Sequence, residues 1–150
     1  MPDKLNIHDV TVRITPYSEF KKAIHKLRHD IFTVEQGVPQ CLDEDGEDPN
    51  CYHVLAFDKS GNPIGTARME ADGHIGRMVV LKKWRRKGVG TKMLHALIDY
   101  AVEIRLDLVY LNSQLYAVPF YEASGFRQAS AVFYEASMPH VTMQKTLLYH

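Results

Sequence analysis

Arg85, Gly88 and Gly90 stand in the segment Arg85-Arg86-Lys87-Gly88-Val89-Gly90-Thr91, after the apolar run Met78-Val79-Val80-Leu81 and before an amphipathic stretch. A basic, glycine-containing turn that opens into a helix suits an anion. Unpaired backbone N–H groups and the positive end of the helix macrodipole face the ligand, and glycine lets the backbone come close to a phosphate because no Cβ intervenes. The P-loop pattern Gly-x-x-x-x-Gly-Lys-Ser/Thr is absent. The dinucleotide pattern Gly-x-Gly-x-x-Gly also fails, because Met93 stands where its third glycine belongs. The pattern the segment satisfies is Arg-x-x-Gly-x-Gly.

Other residue types point to acid and base chemistry. Tyr121 lies in Pro119-Phe120-Tyr121-Glu122-Ala123-Ser124-Gly125-Phe126, and a phenol of pKa ~10 holds a proton at neutral pH. Glu35, Glu70, His53, Glu135 and His140 are candidate bases. Arg68 and Arg77 either bind a substrate carboxylate or pair with Glu35 and Asp45. His25 and His29 are four residues apart, as metal ligands on a helix are, yet no third ligand accompanies them. Cys41, Cys51 and His53 have irregular spacing and lack a fourth partner, so no metal is expected, and the two cysteines read as reduced thiols.

The elements that position these groups follow from pattern. With 150 residues, 45% hydrophobic and 24% charged, the chain has the composition of one globular domain. No apolar run reaches the ~18 residues of a membrane helix, and the acidic, polar start does not read as a signal peptide. A cytoplasmic protein is expected. Val10–Ile14 reads as a strand, Thr15-Pro16 as a helix start with Thr15 as cap, and residues 17 to 34 as one amphipathic helix. Residues 37 to 50 read as an acidic loop. Strands at 52–57, 63–70 and 75–81 form an antiparallel meander, turning at 58–62 and at Asp72-Gly73. A helix at 89–105, a strand at 108–111, a short helix at 118–124 capped by Gly125, a strand from Phe126 and a last strand at 141–148 complete the order. The expected fold is α/β: a mixed, mostly antiparallel central sheet with helices on both faces. The strands before and after the long helix are parallel neighbours joined by a right-handed crossover.

The glycine turn, with Asn112 and the Phe-Tyr-x-x-x-Gly-Phe helix downstream, resembles the GNAT N-acetyltransferases. Phe32-Thr33-Val34-Glu35-Gln36-Gly37-Val38-Pro39, Asp45 and Asp48, His53, Gly76-Arg77, and Ser137-Met138-Pro139-His140 with Met143 resemble the ElaA-like small members, so nearly the whole chain is covered. The resemblance implies acetyl-coenzyme A as donor. Its pantetheine arm would run along the main chain of Met78, Val79 and Val80, where an N–H faces the thioester oxygen. Its pyrophosphate would lie on Arg85, Arg86, Lys87, Gly88, Val89, Gly90 and Thr91, with Asn112 nearby. Tyr121 would be the general acid to the departing thiolate, and Glu35, near the acceptor opening, the second catalytic residue. His53, Arg68, Arg77 and His140 would face the acceptor. Where some members carry an acid on the strand before the glycine loop, this chain reads His74-Ile75-Gly76-Arg77-Met78-Val79-Val80. Arg86 departs from the glycine that many members carry, and would be strained there if the position needs positive φ.

The expected activity is acetyl transfer to a primary amine of a small molecule by direct attack on the thioester. The alternative is a non-catalytic acyl-coenzyme A-binding or sensing module, which would not need Tyr121. Nucleic-acid binding through the basic run Lys82–Lys87 is disfavoured by zero net charge. A homodimer stays open. Five of the six residues from Asp43 to Asp48 are acidic. They read either as solvated surface or as a field that gathers a cationic amine.

Overall fold

Tyr52–Phe57 is an apolar strand whose alternate residues point to opposite sides, and Val54, Leu55, Ala56 and Phe57 are all buried. A strand buried on both sides belongs to a sheet that must be covered twice. The computed structural model, which describes residues 5–147, shows how. Strands β1 (Thr11–Thr15), β2 (Tyr52–Phe57), β3 (Pro63–Met69) and β4 (Ile75–Val80) form an antiparallel sheet in that order. Helix α3 (Val89–Glu103) covers one face, packing Val89, Met93, Leu94, Leu97 and Ala101 against Val54, Ala56 and Ala67. Helix α1 (Tyr17–Arg28) covers the other, setting Ile24 and Leu27 against Leu55, Phe57 and Val79. Each such valine, leucine, isoleucine, methionine or phenylalanine contributes about 1.5–3 kcal/mol on full burial.

A second sheet has the order β5 (Leu108–Gln114), β8 (Met138–Thr146), β6 (Arg127–Gln128), with β7 (Phe133–Glu135) also paired to β8. Helix α4 (Val118–Glu122) precedes β6, and Gly125 follows it at φ 92°. The two sheets touch where β4 and β5 begin, through a parallel bridge between His74 and Tyr110. The strands before and after the long helix meet in parallel at this one bridge only, so the expected central sheet is two sheets joined there, with helices on both faces of the first as expected.

Four local readings need correction. The helix expected over 17–34 ends its α-helical part at Arg28 and widens into a π-helical turn, His29–Glu35, a geometry that often marks functional segments. Thr15 is not its cap: Pro16 occupies that position with no side-chain cap bond, while Thr15 is a strand residue paired with His53. The acidic loop contains a one-turn helix, α2 (Gln40–Asp43), and a 3-10 turn at Asp48–Asn50. The last two strands form a hairpin that starts earlier than expected, turning at Ala136 and Ser137 with φ of 50° and 64°. Leu148, the start of the chain before Leu5 and the Cys41 side chain lie outside the described residues.

Candidate active site

The register of β4 against β3 breaks in the middle. Thr66 faces Val79 and Arg68 faces Gly76, so Ala67 stands opposite both Arg77 and Met78. This is a β-bulge, with Arg77 at φ 51°.

At the end of β4 the chain enters the glycine turn. Gly88 takes φ 93° at the N-cap of α3 and supplies no capping side chain, so the first-turn N–H groups remain available to a ligand. Val80, Trp84, Gly88, Gly90, Thr91 and Phe120 line a cavity of about 390 Å³ there. A Cβ on Gly90 would lie 3.6 Å from Met78 Sδ and Phe120 Cζ, so anything larger would fill this cradle. Arg86 stands at φ 61°, the positive value that the sequence flagged as costly for arginine.

Arg85 braces the turn. Its Nε donates to the Val80 carbonyl at 2.9 Å, and its two terminal nitrogens donate to Glu35 Oε1 and Oε2 at 2.5 and 2.8 Å. The Arg85 guanidinium holds the Glu35 carboxyl below the usual carboxylate range, the opposite of what a proton acceptor needs. Glu35 thus links the π-helical turn to the glycine loop. The expected pairing of Glu35 with Arg68 or Arg77 does not form.

Arg68 and Arg77 pair instead with the acidic loop. Arg28, only 1% exposed, donates to both Asp43 and Asp48; Arg68 donates to Asp45 and Asp48; Arg77 meets Asp43 and Asp45. Burial pushes the Asp48 carboxyl up, but the bonds from Arg28 and Arg68 outweigh it and hold it below its ordinary value. The bond from Arg68 lowers Asp45 likewise. Asp43 and Asp48 are buried, so the acidic run is not simply solvated surface, and most of its charge is spent on three arginines rather than projected into solvent.

His53 is buried rather than open to a ligand. It is 1% exposed, stacked on Tyr17 at 5.0 Å between ring centroids, and bonded through Nε2 to the Asp48 carbonyl at 2.9 Å. Burial pulls its pKa down, so it stays neutral beneath α1. His25 and His29 do not act as a pair: His25 meets the Tyr17 hydroxyl at 2.6 Å, and His29 is exposed. Among the described residues, no group of three or more His, Cys, Asp or Glu is placed to hold a metal ion.

A second cavity, about 180 Å³, opens at the start of β4 between Arg68, Glu70, His74, Gly76, Arg77, Asn112 and Glu135. Asn112 accepts from Thr142 Oγ1 at 2.9 Å. His140 lies behind it, bonded to the Met138 carbonyl at 2.8 Å and 3.6 Å from Glu135. Tyr121 packs edge-on against Phe120 and Phe126, and burial raises its phenol above its ordinary pKa.

Sequence reasoning missed two participants. Arg28 shares a helical stripe with Ile24, Leu27 and Ile31, and that spacing is the signal that it points inward. His74 left a weaker trace, four residues after Glu70 across a turn.

The acetyltransferase (GNAT) domain family matches residues 16–147. A candidate acetyltransferase of Bacillus subtilis (strain 168) is 33% identical over 94% of this chain and 96% of its own length. Protein ElaA of Escherichia coli (strain K12) is 28% identical over 84% of this chain and 87% of its own. Among solved structures, a candidate N-acetyltransferase from Lactobacillus plantarum superposes with a TM-score of 0.85 at 27% identity, covering 93% of this chain and 99% of that one. The crystal structure of Escherichia coli ElaA gives 0.80 at 26% identity, over 91% and 99%.

Proposed function

The chain belongs to the GNAT acetyltransferase family, and from that premise we propose that it moves an acetyl group from acetyl-coenzyme A to the primary amine of a small cationic molecule. Acyl-coenzyme A-dependent N-acyl transfer is the general activity of the family.

One observation carries it: β4 has a cavity at each end and a bulge between them. The cavity at Val80 adjoins the glycine turn, and the cavity at Gly76 and Arg77 is polar. In this reading the donor lies at the first and the acceptor enters the second. The residues fit the donor, since Gly90 leaves a cradle that a side chain would fill. First-turn N–H groups of Val89, Gly90 and Thr91 would meet the pyrophosphate, with Arg86 and Lys87 as nearby exposed cations. The main chain of Met78, Val79 and Val80 would pair with the arm.

The acceptor side carries more negative than positive charge. Arg68 and Arg77 are matched by aspartates, which leaves Glu70 and Glu135 facing the cavity. Two carboxylates beside a polar cleft attract an ammonium ion. Asn112 and the neighbouring His140 add hydrogen-bonding groups. Tyr121 keeps its proton and serves as the acid for the leaving thiolate. The proposed setting is cytoplasmic, which suits the free Cys51 thiol.

The test is incubation with acetyl-coenzyme A and a panel of alkyl amines, amino acids and amino sugars, following free thiol and the mass of the acetylated product. Turnover with cationic amines supports the reading. Tight coenzyme binding by calorimetry with no thiol release from any amine would make the chain a sensing module instead. A Gly90→Val variant that folds and binds coenzyme A as tightly as the parent would remove the donor from the glycine turn.

A further inference from the structure

Amine acetylation needs a proton acceptor, because an alkyl amine arrives as an ammonium ion and only the neutral amine attacks. Glu35 is bound to Arg85 and His53 is sealed beneath α1, so neither serves. The acceptor cavity itself contains a different pair. His74, half-buried, brings Nδ1 to 2.6 Å from Glu70 Oε2. Its ring lies flat on Tyr110, 4.8 Å between centroids at 4°, and its backbone N–H donates to Asp72 Oδ1 at 3.1 Å. Two contacts therefore fix the imidazole at the cavity wall, and a third holds its backbone in the turn.

The chemistry of that arrangement follows from the tautomer. A carboxylate at Nδ1 holds the proton there and leaves the lone pair on Nε2. It also stabilises the imidazolium once Nε2 is protonated, the role that a carboxylate plays behind a general-base histidine. The other charged groups facing this ring are Asp72 in the turn, Arg68 and Arg77 on the sheet, and Glu135 across the cavity. Both arginines are held by aspartates. Tyr110 donates its hydroxyl to Asp72 at 2.5 Å, and that bond pushes its pKa up to about 12, so the stacked ring stays neutral through the working range.

We propose that His74 is the general base of the acetyl transfer, with Glu70 as the positioning residue that sets its tautomer. The proposal rests on the transferase reading above. His74 Nε2 takes one proton from the bound ammonium, directly or through one water, giving an imidazolium and a neutral amine. The amine nitrogen forms the C–N bond to the acetyl carbon, and the C–S bond breaks with its electron pair on sulfur. Tyr121 protonates that thiolate. The second nitrogen proton returns to the Tyr121 phenolate through solvent, and the imidazolium releases its proton to water. One amide, one thiol and one net proton result.

Two acceptors of different basicity separate a base from a structural residue. Butylamine is a cation at pH 7 and must be deprotonated; methoxyamine is already neutral. The expected result is that His74→Gln lowers kcat/KM about 10²–10⁴-fold for butylamine and only a few-fold for methoxyamine. Glu70→Gln should show the same selectivity at smaller amplitude, and added imidazole should restore butylamine turnover to His74→Ala. Equal losses with both amines, or an unchanged rate with butylamine, would overturn the assignment. A wild-type enzyme that acetylates neither amine nor any member of the wider panel would fail earlier, sinking the transferase reading and this proposal together.

Discussion

Arg28 and Asp48 meet at 2.7 Å beneath α1, with side chains 1% and 5% exposed, and Asp48 also accepts from Arg68 at 2.9 Å. One aspartate thus joins the first helix to β3 on the wall of the proposed acceptor cavity. The acidic loop is folded back by this junction, and α2 with it, since Asp43 accepts from Arg28 as well.

Removing the arginine leaves two buried carboxylates with too little compensation. Arg28→Ala should therefore cost about 3–5 kcal/mol, read as a lower urea midpoint with a similar slope. A loss near zero would mean that water enters and solvates Asp43 and Asp48 without cost.

Glu35 gives a contrasting expectation. Its carboxylate is exposed and its partner is the brace of the glycine turn. Glu35→Gln should leave thermal stability close to that of the parent and weaken coenzyme A several-fold, because Arg85 and the turn lose an anchor. The pH profile of turnover should keep its shape. A lost acid limb in that profile would restore Glu35 as the base.

His53 makes stability depend on pH. Burial depresses its folded pKa below the ordinary value of about 6.5. As pH falls through that value, the unfolded chain takes up a proton that the folded chain refuses, so stability decreases with acidification. Denaturant midpoints measured from pH 8 to pH 5 should fall below about pH 6.5, and His53→Gln, which can still donate to the Asp48 carbonyl, should flatten that part of the curve. A parallel slope in the variant would assign the effect to other groups.

Much of the fold could be read from the chain because its signals are local. The meander from Tyr52 to Val80 rests on alternation and turn residues, α3 on a seven-residue apolar face, and the glycine turn on a motif with a mechanical reason for each glycine. The losses came where a residue's role is set by distant partners. Arg28 and Asp48 are twenty positions apart, and Glu35 and Arg85 fifty; nothing near either residue names its partner. The π-helical widening after Arg28 escaped for a related reason: Ile31 and Val34 keep helical spacing, yet only Ile31 turns inward, while Val34 is 69% exposed. Backbone features such as the bulge at Arg77 carry no side-chain signature at all.

Arg86 was legible in this sense, and its strain can be relieved. At φ 61° a non-glycine residue costs about 1–2 kcal/mol, while glycine adds about 0.4–1 kcal/mol of unfolded-state entropy. Arg86→Gly should therefore stabilise the fold by roughly 0.5–1 kcal/mol, a rise of about 2–4 °C per kcal/mol for a chain of this size. A lower melting temperature would show that the arginine makes a contact worth more than the strain.

Tyr121 tests the other half of the chemistry. Its ring is packed between Phe120 and Phe126, and among the described residues no hydrogen bond fixes its hydroxyl. Burial raises its pKa, so it enters the reaction protonated across the neutral range. Tyr121→Phe deletes the proton and keeps the packing. The expected result is an unchanged melting temperature, an unchanged coenzyme A affinity by calorimetry, and a kcat lower by about 10²–10⁴-fold. The loss should be the same for butylamine and methoxyamine, because the acid serves the departing sulfur whichever nitrogen attacks. An unaltered kcat would make Tyr121 a packing residue, and a loss confined to butylamine would move it to the proton path of the amine.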